Sequence, residues 1–252
     1  MRDLAGAMAI MEGYEGLSGK GDDGKFYPVQ EEADKSGVYT IGKGHVVSPK
    51  EMVKFSKGLT LKEVGDLFAS DVSSRIKRLD KYANGATDRQ YGALLSMFYN
   101  NEDSIVKGSP GKYHRVGNFR YAAASLLMYV ISDGKPRKGL WRRRMTEAYY
   151  YMTGVVKIAN TPQTEKSLFL DIEDLGLIDI LRELKPDHPF LPKEDKGLKL
   201  LYGKSFYASK LQKFLVELGY TLKIDGIAGN NTSDAFKDAS GYYLKGDPRD
   251  GR

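Results

Sequence analysis

The sequence contains no cysteine, which excludes disulfides, thiolate metal sites and cysteine nucleophiles. Histidine is scarce. His45, His114 and His188 are the only three, and they do not fall at metal-ligand spacing, so neither a metal nor another cofactor is expected. No apolar run approaches the length of a membrane span. The N-terminal segment is short, mixed and interrupted by Glu12, so no integral membrane segment and no secretory signal are expected. The composition is that of an ordinary globular chain, and nothing in it points to disorder or a fibre.

What is present is enough length, 252 residues, for one large domain or a medium one with a small one. The formal charge of +6 favours polyanions, a class that includes nucleic acids and the anionic polymers of bacterial envelopes. The densest basic run, Lys135 to Arg144, reads as a solvated helix start, and nucleic acid is not the expected partner.

The most structured short stretch runs from Asp34 through Gly37, Thr40, Gly42 and Gly44 to His45, and then continues as Val46-Val47. Strand-like alternation broken by paired glycines is the pattern of a tight hairpin, which would bring Asp34, Thr40 and His45 into one small volume. An ordinary surface hairpin whose polar groups cap turns would show the same spacing. Upstream, Asp3 to Glu15 reads as a helix with Leu4, Met8 and Met11 on one face. Glu15 falls at its end, where the helix dipole and partial burial both favour a protonated carboxyl. Residues 18–36 read as an exposed, partly mobile loop leading into the hairpin.

Helical patterns follow. Thr60 and Glu63 form a capping box ahead of a stripe from Leu61 to Leu79, and Thr87 with Gln90 opens a second helix carrying Tyr91, Leu94, Leu95 and Phe98. Residues 102–117 read as a glycine-rich loop, Asn118 as the cap of a helix through Ile131, and Leu140 to Tyr151 as a further helix. The pattern then weakens. Ile172 to Leu184 is compatible with a helix, and the prolines at 186, 189 and 192 mark a connector. Ser205 to Gly219 returns to helical spacing, with Leu211, Phe214, Leu215 and Leu218 on one face. A glycine-shaped loop at Asp225 to Thr232 lacks the alternating acids of a calcium site and leads to a short helix containing Ala235 and Phe236.

Two carboxyls with separated proton affinities are what glycoside hydrolysis needs, and Glu15 and Asp34 are the pair placed for it. Tyr14-Glu15-Gly16-Leu17, followed by Asp34-x-x-Gly37-x-Tyr39-Thr40-Ile41-Gly42-x-Gly44-His45, resembles the active-site signature of the phage-type lysozymes, the endolysin muramidases of tailed bacteriophages. Further matches come in the family's order: Leu67-Phe68-x-x-Asp71-Val72, Gln90-x-x-Ala93-Leu94-x-Ser96-x-x-Tyr99-Asn100, and Gly139-Leu140-x-x-Arg143-Arg144-x-x-Glu147.

The resemblance implies an α+β, lysozyme-like catalytic domain, with a small β-hairpin lobe and a helical lobe, over residues 1–155. A connector over 156–196 and a small all-α domain over 197–252 follow. By the same resemblance Glu15 is the general acid, Asp34 positions or deprotonates water, and Thr40 helps hold that water. Val46, Tyr99 and Asn100 meet the substrate. Arg143 pairs with the catalytic glutamate and orients it, and His45 with Asp71 forms a structural ion pair. The segment between Glu15 and Asp34 is about ten residues longer than the family usually has. It contains Asp22, Asp23, Glu31 and Glu32 as rivals to Asp34, but the glycine three positions on and the threonine six positions on favour Asp34.

The C-terminal pattern Leu211-Gln212-x-x-Leu215-x-x-Leu218-Gly219-Tyr220, then Asp225-Gly226-x-x-Gly229-x-x-Thr232-x-x-Ala235, resembles the small helical peptidoglycan-binding domain of many wall hydrolases. It implies that Gln212, Tyr220 and Asp225 contact the wall. The expected activity is hydrolysis of the bond between N-acetylmuramic acid and N-acetylglucosamine, with inversion, on bacterial peptidoglycan during phage lysis. A lytic transglycosylase on the same substrate, a virion-associated wall-binding component and a nucleic-acid binder remain as alternatives. The protein is expected in the host cytoplasm before release or in the virion, with virion proteins as further partners.

Overall fold

The computed structural model describes residues 2–30, 37–191, 202–204, 207–244 and 246–250. Asp34, Glu31 and Glu32 lie outside the described residues. The chain divides into two compact units, Met1–Leu191 and Pro192–Arg252.

In the first unit, helix α1 (Ala5–Tyr14) precedes a three-stranded antiparallel sheet of β1 (Val29–Gln30), β2 (Tyr39–Ile41) and β3 (His45–Val47), in that order. Thr40 stands opposite Val29 on one side and Val46 on the other, and Ile41 pairs with His45. Gly42 and Gly44 both take the left-handed conformation in the turn, with φ of +62° and +78°. A side chain at Gly42 would also strike Val64. Phe26, Ile41, Val47, Phe55 and Val64 form the small core beneath this sheet.

Residues 18–30 are not the loose loop expected. Phe26 is buried in that core, and its backbone exchanges hydrogen bonds of 2.8 Å with Leu59 in both directions. Ser18 pairs with Gly42, and Tyr27 N–H donates to Gly19 O at 2.7 Å. One buried aromatic therefore anchors a segment whose polar composition suggests solvent.

Helices α2 (Pro49–Phe55), α3 (Leu61–Leu79) and α4 (Asp88–Asn100) follow. α3 starts where its capping box dictates. Thr60 N–H donates to Glu63 Oε2 at 2.7 Å, and Val64, Phe68, Val72 and Leu79 are its buried stripe. Thr87 and Gln90 cap α4 in the same way, and α4 is buried at every position from Gln90 to Tyr99. It is the central helix, packed by α1 and α3 and by the later helix over Lys138–Thr153.

Residues 102–115, expected as a loop, instead form α5 (Glu102–Val106) and α6 (Ser109–Arg115). Asn101 Oδ1 caps α5 by accepting from Ser104 N, and Gly111 is required because a Cβ there would collide with Ile105 O. Gly111 thus serves close packing. α7 (Phe119–Leu126) ends earlier than expected, in tight turns at 127–129 that lead into a two-residue hairpin, β4 (Ile131–Ser132) and β5 (Lys135–Pro136). α8 (Lys138–Thr153) then runs against α4 and α7.

The segment 156–196 was expected to be a connector, but most of it is folded structure. α9 (Pro162–Asp174) packs on α8, and α10 (Leu177–Leu184) packs on α7 and α9. Leu168, Ile172, Leu177, Ile178 and Leu181 are buried in the main core. The proline-rich stretch itself docks. Phe190 stacks on Trp141 with ring centroids 5.7 Å apart, and His188 Nε2 lies 3.0 Å from Leu127 O.

The second unit contains β6 (Gly203–Lys204), α11 (Ala208–Glu217), β7 (Ile227–Ala228) and α12 (Asn230–Ser240). Among the described residues it is a helical unit with one two-residue ladder, Gly203 opposite Ala228 and Lys204 opposite Ile227. The buried face of α11 differs from the expected apolar stripe. Ala208, Gln212 and Leu215 are inside, whereas Phe214 is 56 % and Leu218 54 % exposed. The loop between α11 and α12 needs an amide at its centre, and Gln212 takes that place.

Candidate functional site

The site forms where the hairpin meets the helical body. Glu15 is the residue that ends α1. It leaves helical geometry, with φ −84° and ψ 107°, while its N–H still donates to Met11 O at 2.8 Å. Tyr14 fixes that helix end: its hydroxyl lies 2.7 Å from Thr146 Oγ1 and 3.1 Å from Arg142 O, and accepts from Ala159 N at 3.0 Å. The Glu15 side chain is 16 % exposed, so it is sheltered yet reachable from solvent. Its Oε1 accepts from Arg143 Nη1, and its Oε2 faces Gly44 so closely that a Cβ there would sit 3.3 Å away. A glycine at 44 thus leaves room for the carboxylate as well as satisfying the turn.

Arg143 is nearly inaccessible and carries a second carboxylate on its other side. Its Nε donates to Glu147 Oε1 at 3.1 Å and its Nη2 to Ser96 O at 3.0 Å. Ser96 Oγ donates to the same Glu147 oxygen at 2.6 Å. Burial alone would push the Arg143 proton affinity down, but Glu147 and Glu15 outweigh it and raise the pKa. Arg144 is fully buried. Its Nη1 is 3.2 Å from Glu147 Oε2, and its Nη2 donates to Asn100 Oδ1 at 2.8 Å. Burial pushes Arg144 down to about 10, which leaves it charged at neutral pH.

Thr40 lies in the middle strand of the sheet, and its Oγ1 is buried without a hydrogen-bond partner among the described residues. Val46, directly across from it, is 56 % exposed. Tyr99 is not a free binding group. Its hydroxyl donates to Lys43 O at 2.8 Å, Arg75 lies 4.1 Å over its ring, and burial raises its pKa. It ties the hairpin turn to α4. Asn100 is engaged by Arg144 and also lines a groove of about 320 Å³ with Asn101, Tyr129, Ser132 and Leu140.

His45 points away from Glu15's partners. Its Nδ1 contacts the Asp71 carboxylate at 2.9 and 3.1 Å, its Nε2 is 3.5 Å from Glu51 Oε1, and its ring meets the Phe55 ring edge-on. The hydrogen bond to Asp71 raises the His45 pKa. This pair joins β3 to α3.

The structure therefore brings together Glu15, Arg143 and the Gly44 turn, and separately His45 with Asp71. Sequence reasoning gave no role to Ser96, Thr146 or Glu147. The available signal was the i,i+4 spacing of Arg143 and Glu147 on one helix.

In the second unit Gln212 is turned inward. Its Nε2 donates to Asp225 Oδ1, Ile227 O and Thr232 Oγ1, and its Oε1 accepts from the N–H groups of Asp225 and Gly226. Every valence is used inside the chain, so Gln212 holds a loop and has no donor or acceptor left for a ligand. Asp225 also accepts from Ile227 N at 3.0 Å, and the Tyr220 hydroxyl donates to Asp238 at 2.8 Å. An open groove of about 320 Å³ beside this loop is lined by Tyr202, Lys223, Asn230 and Asn231 among others. Among the described residues no cluster of His, Asp and Glu could hold a metal, and no helix is long and apolar enough to cross a membrane.

Residues 27–147 match the phage lysozyme family. Over this stretch, just under half of the chain, the sequence is similar to that family. The match takes in Asp34, Thr40, His45, Asp71 and Arg143, and Glu15 precedes it. An endolysin of Bacillus phage B103 is 32 % identical over 138 residues, which are 51 % of this chain and 50 % of that protein. The chain thus spans about half the length of that curated relative. The endolysin from Escherichia coli O157:H7 phage FAHEc1 superposes with a TM-score of 0.50 and 24 % identity, covering 62 % of this chain and 96 % of that one. The likeness to that structure is one of fold.

Proposed function

We propose that the first unit is a muramidase, hydrolysing the bond between N-acetylmuramic acid and N-acetylglucosamine in bacterial peptidoglycan. One observation carries the reading: in a domain similar to the phage lysozyme family, a sheltered carboxyl at the end of α1 is held between an arginine of the helical body and a glycine turn of the hairpin. Glu15 protonates the glycosidic oxygen as the bond breaks. Asp34 removes a proton from water that attacks the anomeric carbon from the opposite face, with inversion. Thr40 holds that water, a role supported by a buried hydroxyl that no group among the described residues satisfies. The groove beside Asn100 suits a polar chain of sugars.

The second unit, in the same proposal, retains the enzyme on the wall. The face available for that is the groove beside Lys223 and Asn230, with Asp225 on its edge and Gln212 as its support. The protein would act at the wall after release from the host cytoplasm or from a virion.

The test is digestion of purified peptidoglycan with product masses read out. Wild type should give hydrated reducing ends, and Glu15→Gln should lose about 10²–10⁴ in rate with an unchanged melting temperature. Anhydro ends would make the enzyme a lytic transglycosylase, and near-normal activity in Glu15→Gln would remove the assignment. Loss of activity in Asp22→Asn or Asp23→Asn, but not in Asp34→Asn, would move the second carboxylate upstream.

A further inference from the structure

A general acid beside an arginine is a contradiction in charge. The guanidinium stabilises the ionised carboxylate, whereas the reaction needs the carboxyl to hold a proton. Resting on the assignment of Glu15 as that acid, we infer that Glu147 and Ser96 are positioning residues, which hold Arg143 in place and take up its charge so that Glu15 can be protonated beside it.

The geometry supports both parts. Three of the contacts that fix the Arg143 guanidinium come from behind the site: Glu147 Oε1 on Nε, and the Ser96 carbonyl and hydroxyl on Nη2 at 3.0 and 3.4 Å. Only Nη1 is left to face Glu15. Ser96 Oγ binds the same Glu147 oxygen, so Glu147 is itself held. Glu147, Ser96 and Arg144 are fully buried and Arg143 nearly so, which leaves water little part in neutralising them.

The charge count gives the second part. With Glu15 ionised, two carboxylates face two guanidiniums, Arg143 and Arg144, and the cluster is neutral. When Glu15 is protonated the cluster carries one uncompensated positive charge. Without Glu147 it would carry two, in a medium where each is costly. Among the described residues, the charged and titratable groups around Glu15 are Arg143, Arg144 and Glu147 on α8, Tyr99 on α4, and its neighbour Tyr14. The hairpin side presents the Gly44 backbone, and Lys43 there is paired with Glu12 at 3.1 Å. Among the described residues, Glu147 is thus the anion, other than Glu15 itself, in direct contact with Arg143.

Glu147→Gln and Ser96→Ala separate the charge from the geometry. Glu147→Gln keeps the shape and an oxygen for Ser96 but loses the charge. Its kcat on soluble uncrosslinked peptidoglycan strands should fall about tenfold with KM within about twofold, and the alkaline limb of its pH profile should move to lower pH. Ser96→Ala keeps the charge and loosens the hold. It should lose about three- to tenfold in kcat, with the limb unmoved. A folded Glu147→Gln with an unmoved limb, or a Ser96→Ala with kcat within twofold of wild type, overturns the inference. If Glu147→Gln does not fold, Ser96→Ala decides alone. Glu15→Gln run alongside keeps the two readings apart: activity there sinks the acid assignment, whereas an inactive Glu15→Gln with normal Ser96→Ala sinks only this one.

Discussion

Each unit is built around a buried polar hub, and the two hubs are opposites. In the first unit the hub is ionic: Glu147 between Arg143 and Arg144, with Glu15 at its accessible end. In the second it is a neutral amide, Gln212, whose oxygen and nitrogen make five hydrogen bonds. A saturated amide has nothing left to offer a ligand, so it specifies a loop and is chemically finished. An ionic row that ends on a sheltered carboxyl reachable from solvent still has one group able to meet a substrate. Reactivity here follows from an incomplete hub, and stability from a complete one.

Removing the centre of each hub tests that contrast, and the ionic one should suffer more. Glu147→Ala leaves two buried guanidiniums with only Glu15 to balance them, and breaking a buried pair from one side costs about 3–5 kcal/mol. Urea unfolding of the first unit should show it as a lower midpoint with an unchanged slope. A loss below about 1 kcal/mol would mean that water or a neighbouring group reaches Arg143, and the hub would not be the dry ionic site described.

Gln212→Leu takes the acceptor from the part-buried N–H groups of Asp225 and Gly226, and because water can reach them in part the loss should be about 1–3 kcal/mol in all. The loss should appear in the unfolding of the second unit alone, while turnover of soluble glycan strands by the first unit stays at the wild-type rate. A fall in that turnover would show that the units depend on one another. A stable Gln212→Leu that no longer binds purified walls would return Gln212 to the ligand surface and break the contrast.

How much of this was legible depended on whether the cause was local. The capping boxes at Thr60 and Thr87 and the glycine turn at 42 and 44 are written within a few residues, so their elements were readable from spacing alone. Residues 18–30 look like a loose loop in the sequence because their order comes from Leu59, some thirty positions away. α5 and α6 are hidden in the sequence because Gly111, which looks like a loop residue, is there to let Ile105 O approach. The same applies to α11, where counting only apolar residues passed over Gln212 and placed Phe214 inside. The site followed the same rule. Glu15 and Arg143 are 128 positions apart, and no periodicity links them. They were paired through family resemblance, which carries long-range information that spacing does not.

The smallest effect concerns an ionic pair that the contrast should exclude from the reaction. Asp71 raises the His45 pKa, so the folded state favours the protonated imidazole more than the unfolded chain does. The stability that this pair contributes is therefore complete below the ordinary histidine value of about 6.5 and is lost as pH rises through the raised one. Asp71→Asn should remove about 1.5–3 kcal/mol on the acidic side of that window and flatten the pH dependence of the melting temperature across it. Well below that melting temperature, kcat should stay within about twofold of wild type, because His45 faces Asp71, Glu51 and Phe55. A collapse of kcat in a fully folded Asp71→Asn would show that charge next to the hairpin matters to the chemistry even where it does not touch Glu15. The division between reactive and structural hubs would then have to be drawn by distance from the glycan instead of by saturation of the hub.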